Sequence, residues 1–249
     1  MKFRIAASIA LISAVVLVRP ALAEKLVYEP YAETGEWEYE STGQYDFDHA
    51  KNKNAVQEYK NTIGYGVNSF WHTEFEVEME REPTDEGITR FRATHLEWEN
   101  IFQLAPKGKY WVDPGIYLAY EAPIKGKEVG QFEAKLLLEK SIAKFTNVLN
   151  ISFNQQVSQG ASPYTDAGAS WSTRYRLSPY FQPGFEYWND FSEMNSHLTY
   201  NLQSHQAGPC FYGRIGLGRR HLKYNIGYLF GISQAAPQGE LKWVVEYEF

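Results

Sequence analysis

Three groups of residues have the types and spacing to do chemistry. The first is Asn195-Ser196-His197, in a long polar stretch at 189–205, which offers a hydroxyl nucleophile, an imidazole base and an amide. Nucleophilic catalysis requires the base to face the hydroxyl and a third group to orient the base. Neighbours in sequence do not face each other in that way, and "EMNSHLT" carries no lipase motif. A solvated polar loop is the expected role, and no catalytic residue is assigned. The second group is His72 and Glu74, two apart and therefore on one face of a strand, within reach of a single ion. Ordinary metal sites need three or four ligands, whereas His49, His95, His197, His205 and His221 are scattered. A hydrogen-bonded wall histidine is expected, with no metal and no cofactor. The glycine-rich "GRIGLG" at 213–218 has no helix after it and is no phosphate loop.

The third group is a set of charges in two blocks. Glu36, Glu38, Glu40, Glu58, Glu74, Glu76, Glu78 and Glu80 come early; Arg174, Arg176, Arg214, Lys223 and Lys242 come late. They occupy alternate positions in segments whose other positions are apolar. The stretch "FWHTEFEVEME" at 70–80 shows this most clearly: Trp71, Thr73, Phe75, Val77 and Met79 alternate with His72, Glu74, Glu76, Glu78 and Glu80. A period of two is the mark of a strand with one apolar and one polar face.

Such strands recur twelve times, at 35–46, 57–67, 70–80, 88–103, 110–121, 131–139, 145–157, 168–177, 180–188, 206–217, 221–231 and 241–249. In the fourth, Phe91 and Ala93 alternate with Arg90 and Arg92, then Leu96 and Trp98 with Glu97 and Glu99, so the phase slips and a bulge is expected near Thr94–His95. Connections at 68–69, 104–109, 140–144, 178–179 and 218–220 are short. Those at 47–56, 81–87, 122–130, 158–167, 189–205 and 232–240 are longer, and the two kinds alternate. Short turns at one end, long loops at the other and an even strand count belong to transmembrane barrels. The sequence therefore predicts an all-β, closed antiparallel up-and-down transmembrane β-barrel of about twelve strands, its apolar face against lipid and its ends closed on each other so that no edge is left unpaired.

Composition agrees. Aromatics make up 16% of residues, yet mean hydropathy is −0.45, as expected when only one face of each strand meets lipid. Residues 1–23, "MKFRIAASIALISAVVLVRPALA", read as a cleaved export signal, with Lys2 and Arg4 ahead of an apolar run and Ala21-Leu22-Ala23 as the cleavage site. That leaves 24–249 as the barrel domain. It carries 21 basic against 30 acidic residues, which excludes nucleic acid as a partner. The single Cys210 is read as inert packing. The segment 24–34, "EKLVYEPYAET", is a lead-in on the turn side that a barrel could admit to its lumen as a plug.

The terminal "WVVEYEF" resembles the C-terminal signature of Gram-negative outer-membrane proteins. That resemblance implies a place in the cell outer membrane among its lipids, with Tyr247 and Phe249 read by the barrel-assembly machinery. "HLEWENIFQL", "YWVDPGIYLAYE" and "LKYNIGYLFGISQAAPQGELKWVVEYEF" are similar to uncharacterised proteobacterial barrels near the family named for a phenol-degradation (MetA) pathway, whose members are presumed to pass small molecules.

The expected function is non-enzymatic: a narrow channel for passive passage of small polar or aromatic solutes, lined by Glu74, Glu76, Glu78, Arg90, Arg92, Arg174, Arg176 and Arg214. In a twelve-stranded ring the early strands lie opposite the late ones, so an acidic wall would face a basic wall. The alternative is a closed barrel with a structural or surface-interaction role, its lumen filled by ion pairs. A lipid-acting hydrolase comes third.

Overall fold

The computed structural model describes residues 25–51, 53–81, 83–84, 87–88, 90–124, 130–157, 165–193 and 199–249. Twelve long strands follow one another: β1 (Trp37–Phe47), β2 (Gln57–Asn68), β3 (Trp71–Arg81), β4 (Arg92–Gln103), β5 (Asp113–Pro123), β6 (Gly130–Ile142), β7 (Phe145–Val157), β8 (Thr165–Tyr175), β9 (Gln182–Glu193), β10 (Ser204–Leu217), β11 (Arg220–Gly231) and β12 (Gly239–Glu248). Each pairs antiparallel with its neighbours in the chain, and β1 pairs with β12 from Glu38↔Glu248 to Phe47↔Gly239. The sheet is thereby a closed barrel, and every strand has a partner on both sides. A minor hairpin, Pro83–Thr84 with Gly87–Ile88, lies in the connection between β3 and β4.

The phase slip in the fourth strand is a bulge. Pairing between β3 and β4 passes from Glu78↔His95 to Met79↔Ala93, leaving Thr94 as the extra residue. A second bulge, which the alternation did not reveal, leaves Phe191 unpaired between Ala167↔Ser192 and Gly168↔Asp190.

The two ends of the barrel differ as expected, with one correction. Connections 69–70, 143–144, 176–181 and 218–219 are short and share the turn end, but the fifth on that side spans 104–112, longer than several connections at the loop end. It holds up Tyr110 and Trp111, 57% and 77% exposed.

The outer face is a continuous apolar band that includes Ile63, Phe75, Leu96, Phe132, Ile226 and Phe230, all exposed. Water would not tolerate so large an apolar surface, whereas hydrocarbon requires it. Rings reinforce one another across strands, as with Phe75 stacked on Trp98 at 6.2 Å. On the last strand Leu241, Trp243, Val245 and Tyr247 join this outer band. Phe249 stacks on Tyr247, and its amide donates to the Trp37 carbonyl at 2.8 Å, fastening the turn end of the β1–β12 seam.

The inner face is polar, with exceptions that the alternation alone does not explain. Tyr117, Leu137 and Leu229 are fully buried inside the barrel. What they bury is the chain's own N-terminal segment.

Candidate functional site: the lumen and the segment that fills it

Residues 25–36 leave the turn end of β1 and double back into the lumen. The reversal is made at Glu33–Glu36, where the Glu36 amide donates to the Glu33 carbonyl at 3.3 Å and Gly35 has φ 80°, a value that suits glycine. Hydrogen bonds from Gly35 N to Gly66 O and from Gly66 N to Glu36 O, at 2.7 and 2.9 Å, tie the reversal to β2.

Inside, the segment has no strand to pair with, so wall side chains satisfy its backbone. Asn150 on β7 acts as a surrogate strand: its Oδ1 accepts from Tyr28 N at 2.8 Å and its Nδ2 donates to Tyr28 O at 2.9 Å. Gln103 Oε1 accepts from Ala32 N at 3.1 Å. The side chains are held as firmly. Tyr28 donates to Glu99 at 3.0 Å and packs with Ile101, Tyr117, Ala119 and Leu137, to which Leu26 adds. Val27 packs on a second cluster of Trp188, Cys210, Tyr212 and Leu229. Pro30 lies on Gly115, where a Cβ would stand 2.7 Å from the proline Cβ. The lead-in segment is therefore a plug spanning the lumen.

Two polar anchors sit near its turn end. Arg174 on β8 pairs with Glu29, and Tyr31 donates to Asp113 at 3.0 Å. Removal from bulk water pushes the Glu29 carboxyl up, but the charge and hydrogen bond of Arg174 outweigh this and hold it below the usual carboxylate range. The Tyr31 hydroxyl is pushed well up, first by burial and then by the carboxylates of Glu139 and Asp113.

The charged residues singled out from the sequence fall into three places. Glu74, Glu76 and Glu78 are buried on the inner face of β3, and the acidic wall continues through Glu97 and Glu99 on β4. Lys60 stands within this wall, 2.8 Å from Glu76 and 3.3 Å from Glu97, while His95 lies 3.5 Å from Glu78 and 3.2 Å from Glu121. Arg174 and Arg214 are on the opposite side. Arg90 and Arg92 are exposed at the loop-end rim, and Arg176 is outside the lumen at the turn end, donating to Ser141, Thr146 and the carbonyls of Ala143 and Phe145.

The basic residues do not reach across to the acidic wall. Lys242 pairs with Glu186 on β9 at 2.7 Å, Lys223 with Glu246 at 2.8 Å, Arg214 with Glu248 at 2.9 Å, and Arg174 with the plug. Charge is thus neutralised within the basic half of the ring: Lys223 pairs with an adjacent strand, Arg214 reaches past one strand, and Lys242 reaches across the curve of the wall from β12 to β9. The basic side is locally compensated. The wall of β2 to β4 keeps an excess of carboxylate in Glu58, Glu74, Glu76, Glu78, Glu97 and Glu99 around Lys60.

This placement separates two arginines that the sequence treated alike. Arg174→Ala is expected to loosen the plug and raise the frequency of open events in planar-bilayer recordings, whereas Arg176→Ala is expected to leave them unchanged. Equal behaviour of the two variants would contradict the Arg174–Glu29 anchor.

Sequence reasoning missed Asn150, Gln103, Gly66 and Gly115 as plug contacts. It had one available signal: Tyr117, Leu137, Trp188 and Leu229 are large apolar residues at positions where the alternation calls for polar ones. The stretch Asn195-Ser196-His197 lies outside the described residues.

No protein-family model matches the sequence, and no curated protein matches it. Solved structures do. An outer-membrane channel from Pseudomonas putida F1 superposes with a TM-score of 0.58 at 12% identity, covering 93% of this chain and 100% of that one. The NanC porin gives 0.52 at 10% identity, covering 85% and 98%. The translocator domain of the autotransporter NalP from Neisseria meningitidis gives 0.50 at 10% identity, covering 87% and 88%. At these identities the likeness is one of fold, and the shared fold is that of outer-membrane barrels.

Proposed function

We propose that this chain is an outer-membrane channel for small polar solutes, held shut by its own N-terminal segment and favouring cations when that segment is displaced. The observation that carries this reading is the plug. It occupies the lumen through side-chain contacts that include an amide pair at Asn150, an ion pair at Arg174 and two apolar clusters, while the strands of the barrel pair on both sides without it. The acidic wall beside it supplies the preference, since clefts lined by one sign of charge concentrate ions of the other. Two of the superposed structures, the NanC porin and the Pseudomonas channel, are named as porin and channel.

The test compares single-channel currents of the refolded mature chain with those of a variant lacking residues 25–34. The intact protein is expected to give rare, brief steps. The shortened one is expected to give frequent, larger steps whose reversal potential in a salt gradient marks cation preference. If the shortened chain folds, as shown by heat-modifiable migration, and still carries no current, the barrel is closed by its walls and the structural alternative takes over.

A further inference from the structure

Register brings a third ligand to the His72–Glu74 pair. Glu38 on β1 is opposite Gly64 on β2, and Gly64 is opposite Glu74 on β3, so the two carboxylates flank a residue with no side chain. His72 leans into the same space. Its Nε2 lies 2.9 Å from Glu38 Oε1 and 3.1 Å from Glu74 Oε1, and one ligand atom from each of the three residues lies within 4.8 Å of the others.

Two further observations point to a ligand. The His72 side chain is 92% buried, yet Nε2 makes no hydrogen bond of acceptable geometry. The nitrogen stands at ion-pair distance from both carboxylates, so a proton there is shared between two acceptors. A divalent cation taking the place of that proton would meet the imidazole lone pair and both carboxylates at once. Bonds of about 2.1 Å to one ion, at angles from right to tetrahedral, hold ligand atoms about 3.0–3.4 Å apart, close to the two nitrogen–oxygen separations. Gly64 keeps the space open: a Cβ there would stand 2.7 Å from His72 Nε2 and 2.8 Å from Glu38 Oε1.

We propose that Glu38, His72 and Glu74 form a three-ligand site for a divalent transition metal of the zinc class, beside the place where the N-terminal segment crosses β2. One nitrogen and two carboxylate oxygens suit zinc, cobalt or manganese better than calcium or magnesium, which prefer oxygen alone. Two carboxylates and a neutral imidazole balance the ion's charge. Three protein ligands leave a further position for water from the turn end, on which the partly exposed Glu38 side chain opens. The metal would clamp β1 to β3 across a strand that offers no side chain of its own there.

The experiment is a cobalt titration of the metal-stripped, refolded mature chain in detergent, read by the visible spectrum, followed by displacement with zinc. One cobalt per chain is expected, with the intense absorption of a low-symmetry site. His72→Ala is expected to abolish the spectrum, and Gly64→Ala to weaken binding by roughly 10–100-fold, as for changes in the shell around a metal. His95→Ala, which alters the other histidine set among carboxylates, is expected to leave it intact. Where His72→Ala does not fold, Glu38→Gln serves in its place. Absence of binding by the folded parent overturns the site, as does binding that survives both His72→Ala and Glu38→Gln or that disappears with His95→Ala.

Discussion

Replacing Gly66 by alanine is expected to open the barrel without unfolding it. Gly66 lies within β2, and its amide and carbonyl bond to Glu36 and Gly35 as the N-terminal segment turns inward. A Cβ at this position would fall inside the van der Waals surface of the Glu33 carbonyl oxygen, with the Glu33 carbonyl carbon at 2.7 Å. These are backbone atoms and cannot swing aside as a side chain would. Gly66 does not have positive φ, so alanine is compatible with the strand itself. The cost therefore falls on the inserted state of the plug. Overpacking of this kind costs about 1–3 kcal/mol, which shifts a two-state equilibrium by roughly 5–150-fold. Channel recordings should show open events more frequent by that factor, and a cysteine introduced by Val27→Cys should become reactive to a water-soluble maleimide. Gly216→Ala is the control, because nothing lies within 4 Å of a Cβ there. If Gly66→Ala left both readouts at the parental level, the segment would not be what closes the lumen.

The second large effect is expected at Lys242. Its ammonium and the Glu186 carboxylate are both completely buried, 2.7 Å apart. Glu186 also accepts from Trp188 at 2.8 Å, Tyr212 at 2.6 Å and Asn225 at 2.9 Å. Lys242→Met leaves a buried carboxylate with three neutral donors and no counter-charge. Removing one partner of such a pair costs about 3–5 kcal/mol, while replacing both by groups of similar shape is often nearly neutral. The single variant should lower the urea midpoint of the folded barrel markedly, and Glu186→Gln combined with Lys242→Met should recover most of the loss. Because Val27 packs on Trp188 and Tyr212, the single variant should also loosen the inner end of the plug. Equal destabilisation by the single and double variants would show that the pair's charge balance is not what matters.

Local alternation dictates the barrel. Alternation marked all twelve strands and assigned each face, because side-chain direction in a strand is a local, period-two property. The slip from Arg90–Ala93 to Leu96–Glu99 located the bulge at Thr94, and the apolar alternation from Leu241 to Phe249 required a closing partner, which β1 provides. Tertiary structure decided the rest, for a common reason: it depends on what meets across space. Inner-face glutamates and basic residues could be recognised from the sequence, but not that Lys60 would sit among Glu76 and Glu97 or that Lys242 would find Glu186, since cross-ring partners depend on strand register and tilt. Arg174 and Arg176 looked equivalent by spacing, yet β8 ends at Tyr175, so one turns inward and the other to the rim. Glu38 joined His72 and Glu74 only because Gly64 separates them in the ladder. The plug was least legible. The stretch 25–34 has no period of its own, and its position is fixed by Asn150, Glu99, Arg174 and Gly66, residues far away in sequence that become neighbours only when the ring closes.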